Sequence, residues 1–190
     1  MKTLLMLMLV LLLAPSAQAE SLDRLRLPDL ALAGTDGTTY ALASTVSKAS
    51  FTVFTFFSAD CPCMRAHDAV LAALAREYAA RGVRFFFVDS EAGATLASDR
   101  AEAAARSYPA PILLDPGAKL SRALETRFAT ATVIVDSHGA VRFRGGIDSS
   151  KRTPGRDTQP FLRSALESLL TGKSPNPAEP KSLGCFLRQS

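Results

Sequence analysis

The chain has 190 residues, with 22 Lys and Arg against 18 Asp and Glu, a formal charge of +4, and 47% apolar residues. That is enough apolar material for one domain with a continuous core. The mild charge, with no aromatic interleaving and no recognition motif, argues against a nucleic-acid binder. The chain has 3 cysteines, Cys61, Cys63 and Cys185, an odd number that cannot all pair within one chain.

Residues 1–19 place Lys2 before an apolar run from Leu4 to Leu13, followed by Ala17-Gln18-Ala19. This is a secretory signal pattern too short to span a bilayer, with cleavage expected after Ala19. No cysteine sits at that boundary to carry a lipid, and no second spanning run follows. The expectation is an exported protein, periplasmic or extracellular, with no membrane association in its mature form.

Residues 20–172 read as one domain. Two short apolar stretches flank Gly34-Thr35-Asp36-Gly37, a hairpin signal. Phe51 to Phe57 is a compact apolar run expected as a buried central strand. From Pro62 to Arg81 the period changes, with Val70, Leu71, Leu74 and Tyr78 on one helical face and Gly82 as the stop. Val83 to Val88 predicts a strand ending in Asp89. A helix over 94–107 closes at Tyr108-Pro109, and a short strand occupies 112–114. Leu120, Leu124 and Phe128 predict a further helix. Thr132 to Val135 and Val141 to Phe143 predict a hairpin about Ser137-His138-Gly139. Phe161 to Leu170 is an amphipathic helix with Thr158 as its candidate cap. The basic cluster Arg142, Arg144, Lys151, Arg152 and Arg156 reads as a solvated rim. Residues 173–190 read as a Pro-rich extended tail carrying Cys185. Alternating strands and helices with a closing hairpin predict an α/β fold with a mixed sheet covered on both faces.

The stretch Phe56 to His67, FFSADCPCMRAH, carries the chemistry. Cys61 falls between a buried strand and a helix, where unpaired N–H groups and the helix dipole favour the thiolate. Asp60 is a candidate helix cap. Arg65, one turn along, is expected to help activate the thiol. A thiolate that attacks a disulfide or a peroxide needs a second thiol for turnover. Cys63 lies next door, and Cys185 lies on a tail that in extended form reaches roughly 40 Å past Gly172. Cys61, Cys63 and His67 also form a candidate set for copper or zinc. His67 is equally readable as an ordinary helix residue, and His138 as a turn residue.

Strand, Cys at the mouth of a helix, βαβ and then TVIVDSHGAVRFRGGID resemble the thioredoxin-like superfamily, in its exported redoxin branch of thiol-disulfide oxidoreductases and peroxiredoxins. DCP, the GxID stretch, a helix ending LLTGK and the Gly184-Cys185 tail resemble a bacterial redoxin-domain group. The resemblance implies a three-layer α/β/α sandwich with a mixed central sheet and an N-terminal β-hairpin, and no organic cofactor. It also implies a disulfide-forming, antioxidant type of activity on protein or small-molecule thiols, disulfides or peroxides, with a separate electron donor.

The chain departs from the thioredoxin pattern at three places. Met64 stands at the resolving position of CxxC, Ala131 where a cis-proline is usual, and Thr55 where a buried acid is usual. A trans bond is expected before Ala131, because a non-proline cis bond costs roughly 3 kcal/mol. Of the peroxiredoxin pattern PxxxTxxC, Ser58 matches the hydroxyl and Phe54 replaces the proline, with Arg127, Arg142 and Arg144 as possible distant arginines. The leading reading is an exported thiol-disulfide oxidoreductase with Cys61 as nucleophile and Cys63 or Cys185 resolving, assisted by Arg65 and Ser58. The alternatives are a thiol peroxidase and a copper-binding chaperone using Cys61, Cys63 and His67.

Overall fold

Phenylalanine and β-branched residues dominate the sheet interior, and the strand built from them is paired on both sides. The computed structural model describes residues 22–152 and 154–189. The expected export signal lies outside them. β1 (Ala31–Gly34) and β2 (Thr39–Ala41) form the hairpin about Gly37, whose φ of 85° suits the left-handed position of the turn. A short helix α1 (Leu42–Val46) leads to β3 (Phe51–Phe57), then to α2 (Pro62–Ala79) and β4 (Val83–Asp89). α3 (Leu96–Ala105), β5 (Ile112–Leu114) and α4 (Lys119–Ala123) follow. The chain then forms β6 (Ala131–Asp136), β7 (Val141–Gly146) and α5 (Phe161–Leu170).

The seven strands lie in the order β2-β1-β5-β4-β3-β6-β7. β3 runs parallel to β4 and antiparallel to β6, so the sheet is mixed. Thr52 to Phe57 are all buried, which requires cover on both faces. On one face Phe54 stacks on its register partner Phe86, with Tyr40 edge-on to Phe86. On the other, Tyr108 stacks on Phe87 and meets Phe57 edge-on. The layered α/β architecture with an N-terminal hairpin is therefore the one expected.

α2 and α5 are tied together at one end. Tyr78 donates to Glu167 at 2.6 Å, Arg81 pairs with Glu167 at 2.5 Å, and Arg163 pairs with Glu77 at 2.5 Å. Three local expectations give way to tertiary context. α4 stops at Ala123, and Phe128 lies beyond it, in an isolated bridge with Phe186 of the tail. The N-cap of α5 is Pro160, while the Thr158 hydroxyl accepts from the Gly155 N–H at 2.7 Å. Arg144 leaves the basic rim to pair with Glu125 at 2.8 Å and with Glu179 of the tail.

The tail is docked rather than free. It bonds to β7 through the Arg144 N–H and the Ala178 carbonyl at 3.1 Å. It then crosses Gly145 and Gly146 so closely that a Cβ on Gly145 would sit 2.6 Å from Pro180. Further on, Ala129 N–H donates to the Cys185 carbonyl and Leu187 N–H to that of Arg127, each at 2.9 Å. Arg188 ends the run on Glu91 at 2.8 Å and Asp60 at 3.1 Å. The tail thus passes from the edge of the sheet to the loops that follow β3 and β4. Among the described residues no helix is long and apolar enough to cross a membrane.

Beyond β4, Asp89 and Asp99 are both buried, and one Asp99 oxygen has no hydrogen-bond partner. Burial and then the neighbouring Asp89 charge raise the Asp99 carboxyl to about 7. The native state therefore keeps a proton that the unfolded chain loses near pH 4, and this contribution to stability disappears as pH rises through 7. Asp99→Asn stays neutral throughout. It is expected to raise the melting temperature at pH 8 by at least about 2–4 °C, leave it unchanged at pH 4, and flatten the slope between. Thermal melts across that range check it.

Candidate functional site

The site forms where β3 hands over to α2. Cys61 is the N-cap of an 18-residue helix, with extended backbone (φ −83°, ψ 112°), and Pro62 opens the first turn. Proline suits that position because its missing N–H is one that the helix leaves unbonded. No side chain caps this terminus. Asp60, the expected cap, pairs with Arg188 of the tail at 3.1 Å instead. The first free N–H groups of α2 are thus left to the sulfur.

The tail brings Cys185 to the same place. Cys61, Cys63 and Cys185 form a cluster whose sulfur atoms all lie within 4.8 Å of one another. Cys61 is 1% exposed, Cys63 is buried and Cys185 half-buried. Burial pushes the Cys61 thiol up. A hydrogen bond from Cys185, together with the backbone N–H groups of Met64, Cys185 and Cys63, outweighs this and leaves it below the ordinary thiol range. Cys185 moves the other way, to about 12, through burial, its hydrogen bond to Cys61 and the negative charge of its two neighbours. The pair is polarised: of the two thiols, Cys61 gives up its proton more readily and Cys185 holds its proton more tightly.

The approach of the tail depends on a glycine. Gly184 lies against the Ala129 carbonyl so tightly that a Cβ there would be 1.7 Å from that oxygen. Thr130, beside it, has a φ of 77°, a costly conformation for a β-branched residue, and donates its N–H to Phe56 at 2.9 Å. The only cis peptide among the described residues is Asn176-Pro177, so the bond before Ala131 is trans. Ala131 pairs with Gly146 at the start of β6.

His67 is buried beneath the cluster with both ring nitrogens engaged. A carbonyl only accepts, so Nδ1 carries hydrogen and donates to the Cys63 carbonyl at 2.7 Å. Nε2 lies 3.1 Å from Asp148 Oδ1, which also accepts from the Ser150 N–H at 2.8 Å. Both nitrogens are thus committed away from the thiols, and Cys185, not His67, is the third member of the sulfur cluster. Asp148 is the acid of the GxID stretch, whose partner the sequence did not disclose. His138 sits in the β6–β7 turn, its N–H donating to Asp136 at 2.9 Å.

Arg65 points to the loop rather than to the thiol. Its guanidinium donates to the Ala59 carbonyl at 3.3 Å and lies 3.9 Å from Glu102. Ser58 is buried, and its carbonyl accepts from the Cys61 N–H at 3.3 Å. A second arginine, absent from the sequence reading, braces the same loop. The Arg106 side chain is 2% exposed and donates to the Ala59 carbonyl at 2.8 Å. It pairs with Glu102 at 2.8 Å and Asp68 at 3.3 Å, and lies over the Phe57 ring. Of the distant arginines, Arg142 lies 4.0 Å from Asp136, Arg144 is held by Glu125 and Glu179, and Arg127 meets the tail through its carbonyl, which accepts from the Leu187 N–H at 2.9 Å. Thr55, at the place of the thioredoxin acid, is buried with no hydrogen-bond partner for its hydroxyl.

Comparison with known structures agrees with the fold. An uncharacterized conserved protein from Geobacillus kaustophilus superposes with a TM-score of 0.79 at 25% identity, covering 87% of this chain and 90% of that one. A secreted disulfide oxidoreductase from Mycobacterium tuberculosis gives 0.51 at 17% identity, over 60% of this chain and 80% of that one. Peroxiredoxin Q from Xanthomonas campestris gives 0.52 at 20% identity, over 63% and 83%. At such identities these last two show the fold alone, which is thioredoxin-like. No curated protein matches the sequence. The redoxin family profile matches residues 22–158, which include Cys61, Cys63, His67 and Asp148. That match spans well over half of the sequence, and the chain belongs to the redoxin family.

Proposed function

We propose that the protein is an exported thiol-disulfide oxidoreductase in which Cys61 attacks a substrate disulfide and Cys185 resolves the product. The observation that carries this reading is the polarised Cys61–Cys185 pair at the start of α2. The Cys61 thiolate displaces one substrate sulfur as a thiolate and forms a mixed disulfide. Its charge and its hydrogen bond to Cys185 vanish at that moment. Two of the influences holding Cys185 protonated go with them, so Cys185 gives up its proton and attacks Cys61 Sγ. The second substrate thiolate leaves, the substrate has gained two electrons, and Cys61–Cys185 is the new disulfide. An external dithiol donor returns the two electrons. Cys63 competes for the same role and is separated from Cys185 by experiment.

The residues around the nucleophile favour this over peroxide reduction. Cys185 and backbone N–H groups set its ionisation with no arginine among the causes, and two of the three candidate distant arginines, Arg142 and Arg144, are engaged elsewhere. Cys61→Ser is expected to abolish insulin reduction. Cys185→Ser is expected to retain the first step and accumulate a mixed disulfide on Cys61, visible by mass spectrometry. The oxidised parent should map to Cys61–Cys185. A Cys61–Cys63 bond in that map would transfer the resolving role to Cys63, and full insulin reduction by Cys61→Ser would remove the reading.

A further inference from the structure

We infer that the reduced protein is also a Cu(I) receptor, in which Cys61, Cys63 and Cys185 bind one ion through three thiolates. This goes beyond the redox reading and does not depend on it. The three sulfurs lie within 4.8 Å of one another. Trigonal coordination with metal–sulfur bonds of about 2.3 Å places sulfurs about 4.0 Å apart, so the cluster needs to contract by less than an ångström.

Two of the sulfurs sit on the first turn of α2 and the third on the docked tail, so a small shift of the tail supplies the contraction. The donor set selects the ion. The one histidine beside the cluster commits Nδ1 to the Cys63 carbonyl and Nε2 to Asp148, leaving no imidazole as a fourth ligand. Zinc in a closed site takes four ligands, whereas three soft thiolates satisfy Cu(I) without another protein donor. Copper stays in the +1 state, and protons of the ligating thiols pass to solvent as the bonds form.

Binding also couples to the tail. The ion bridges Cys185 to Cys61 and Cys63, so it fastens the tail to the helix. A Cys61–Cys185 disulfide removes two of the three ligands, so oxidised protein should not bind. Metal and disulfide are mutually exclusive occupants of one cluster.

The test is an anaerobic titration of the fully reduced chain with Cu(I) against bicinchoninate, a colorimetric competitor. One ion per chain is expected, with three sulfur ligands by X-ray absorption, affinity weakened by about tenfold or more in Cys185→Ser, and slower amide exchange over 178–189 when copper is bound. Cys185→Ser binding as tightly as the parent, two sulfur ligands, or no binding overturns the proposal. The readouts are independent of turnover: a chain that reduces insulin but ignores copper sinks this site alone, and one that binds copper but leaves insulin intact sinks the redox reading alone.

Discussion

Gly184→Ala is expected to slow formation of the Cys61–Cys185 disulfide by about a hundredfold, because it removes the tail's contribution of local concentration. The added Cβ would fall 1.7 Å from the Ala129 carbonyl oxygen and 2.7 Å from Thr130 Oγ1. The first obstacle is backbone, so no rotamer change relieves the clash. The tail must lift, and with it goes the 2.9 Å bond from the Ala129 N–H to the Cys185 carbonyl. Stability should change little, since β3, β4 and β6 do not lean on this contact. Stopped oxidation followed by mass mapping reads the rate. Disulfide formation at the parental rate would show that Cys185 reaches Cys61 without this close approach.

Asp148→Ala should destabilise the protein by about 1–3 kcal/mol, the cost of leaving a buried polar group without its partner. Nε2 of His67 then loses its partner at 3.1 Å, and the Ser150 N–H loses its bond to Oδ1 as well. The loss reaches the site, because the same ring holds the Cys63 carbonyl at 2.7 Å. The labelling rate of Cys63 by a thiol probe is therefore expected to rise together with the fall in melting temperature. Asp148→Asn, which keeps an oxygen for Nε2 and for the Ser150 N–H, should recover most of both. An alanine variant with the parental melting temperature and labelling rate would contradict this bracing role.

The fold was legible where periodicity and burial agree. Phe51–Phe57 and Ile112–Leu114 match their expected bounds because turn-forming or helix-starting residues bracket apolar runs. The short α4 was over-extended because Phe128 continues the apolar spacing while its actual partner, Phe186, lies far away in sequence. Thr158 is a good cap in isolation, yet its hydroxyl serves the Gly155 turn.

The site was half legible. Cys61 followed from its strand-to-helix position, and the odd cysteine count drew attention to Cys185. The orientation of charged side chains was not legible: Arg65 has the right spacing from Cys61, but the Ala59 carbonyl and Glu102 compete for its guanidinium. His67 as a ligand was only an alternative to an ordinary helix residue, and Asp148, 81 residues away, supplies a partner for its second nitrogen. Arg106 lacked any signal, because its value comes from a carbonyl and two carboxylates gathered from three segments.

The burial of Cys61 ties its accessibility to the tail. At 1% exposure beside the docked tail, the sulfur presents almost no surface to an incoming disulfide. For the disulfide substrate proposed above, the tail segment carrying Cys185 is then expected to move aside first. The substrate's apparent affinity is multiplied by the open fraction, so an opening of about one molecule in a hundred costs it about a hundredfold. Access to Cys61 is thus governed by the docking equilibrium of the tail, to which the Arg188 bonds to Glu91 and Asp60 contribute.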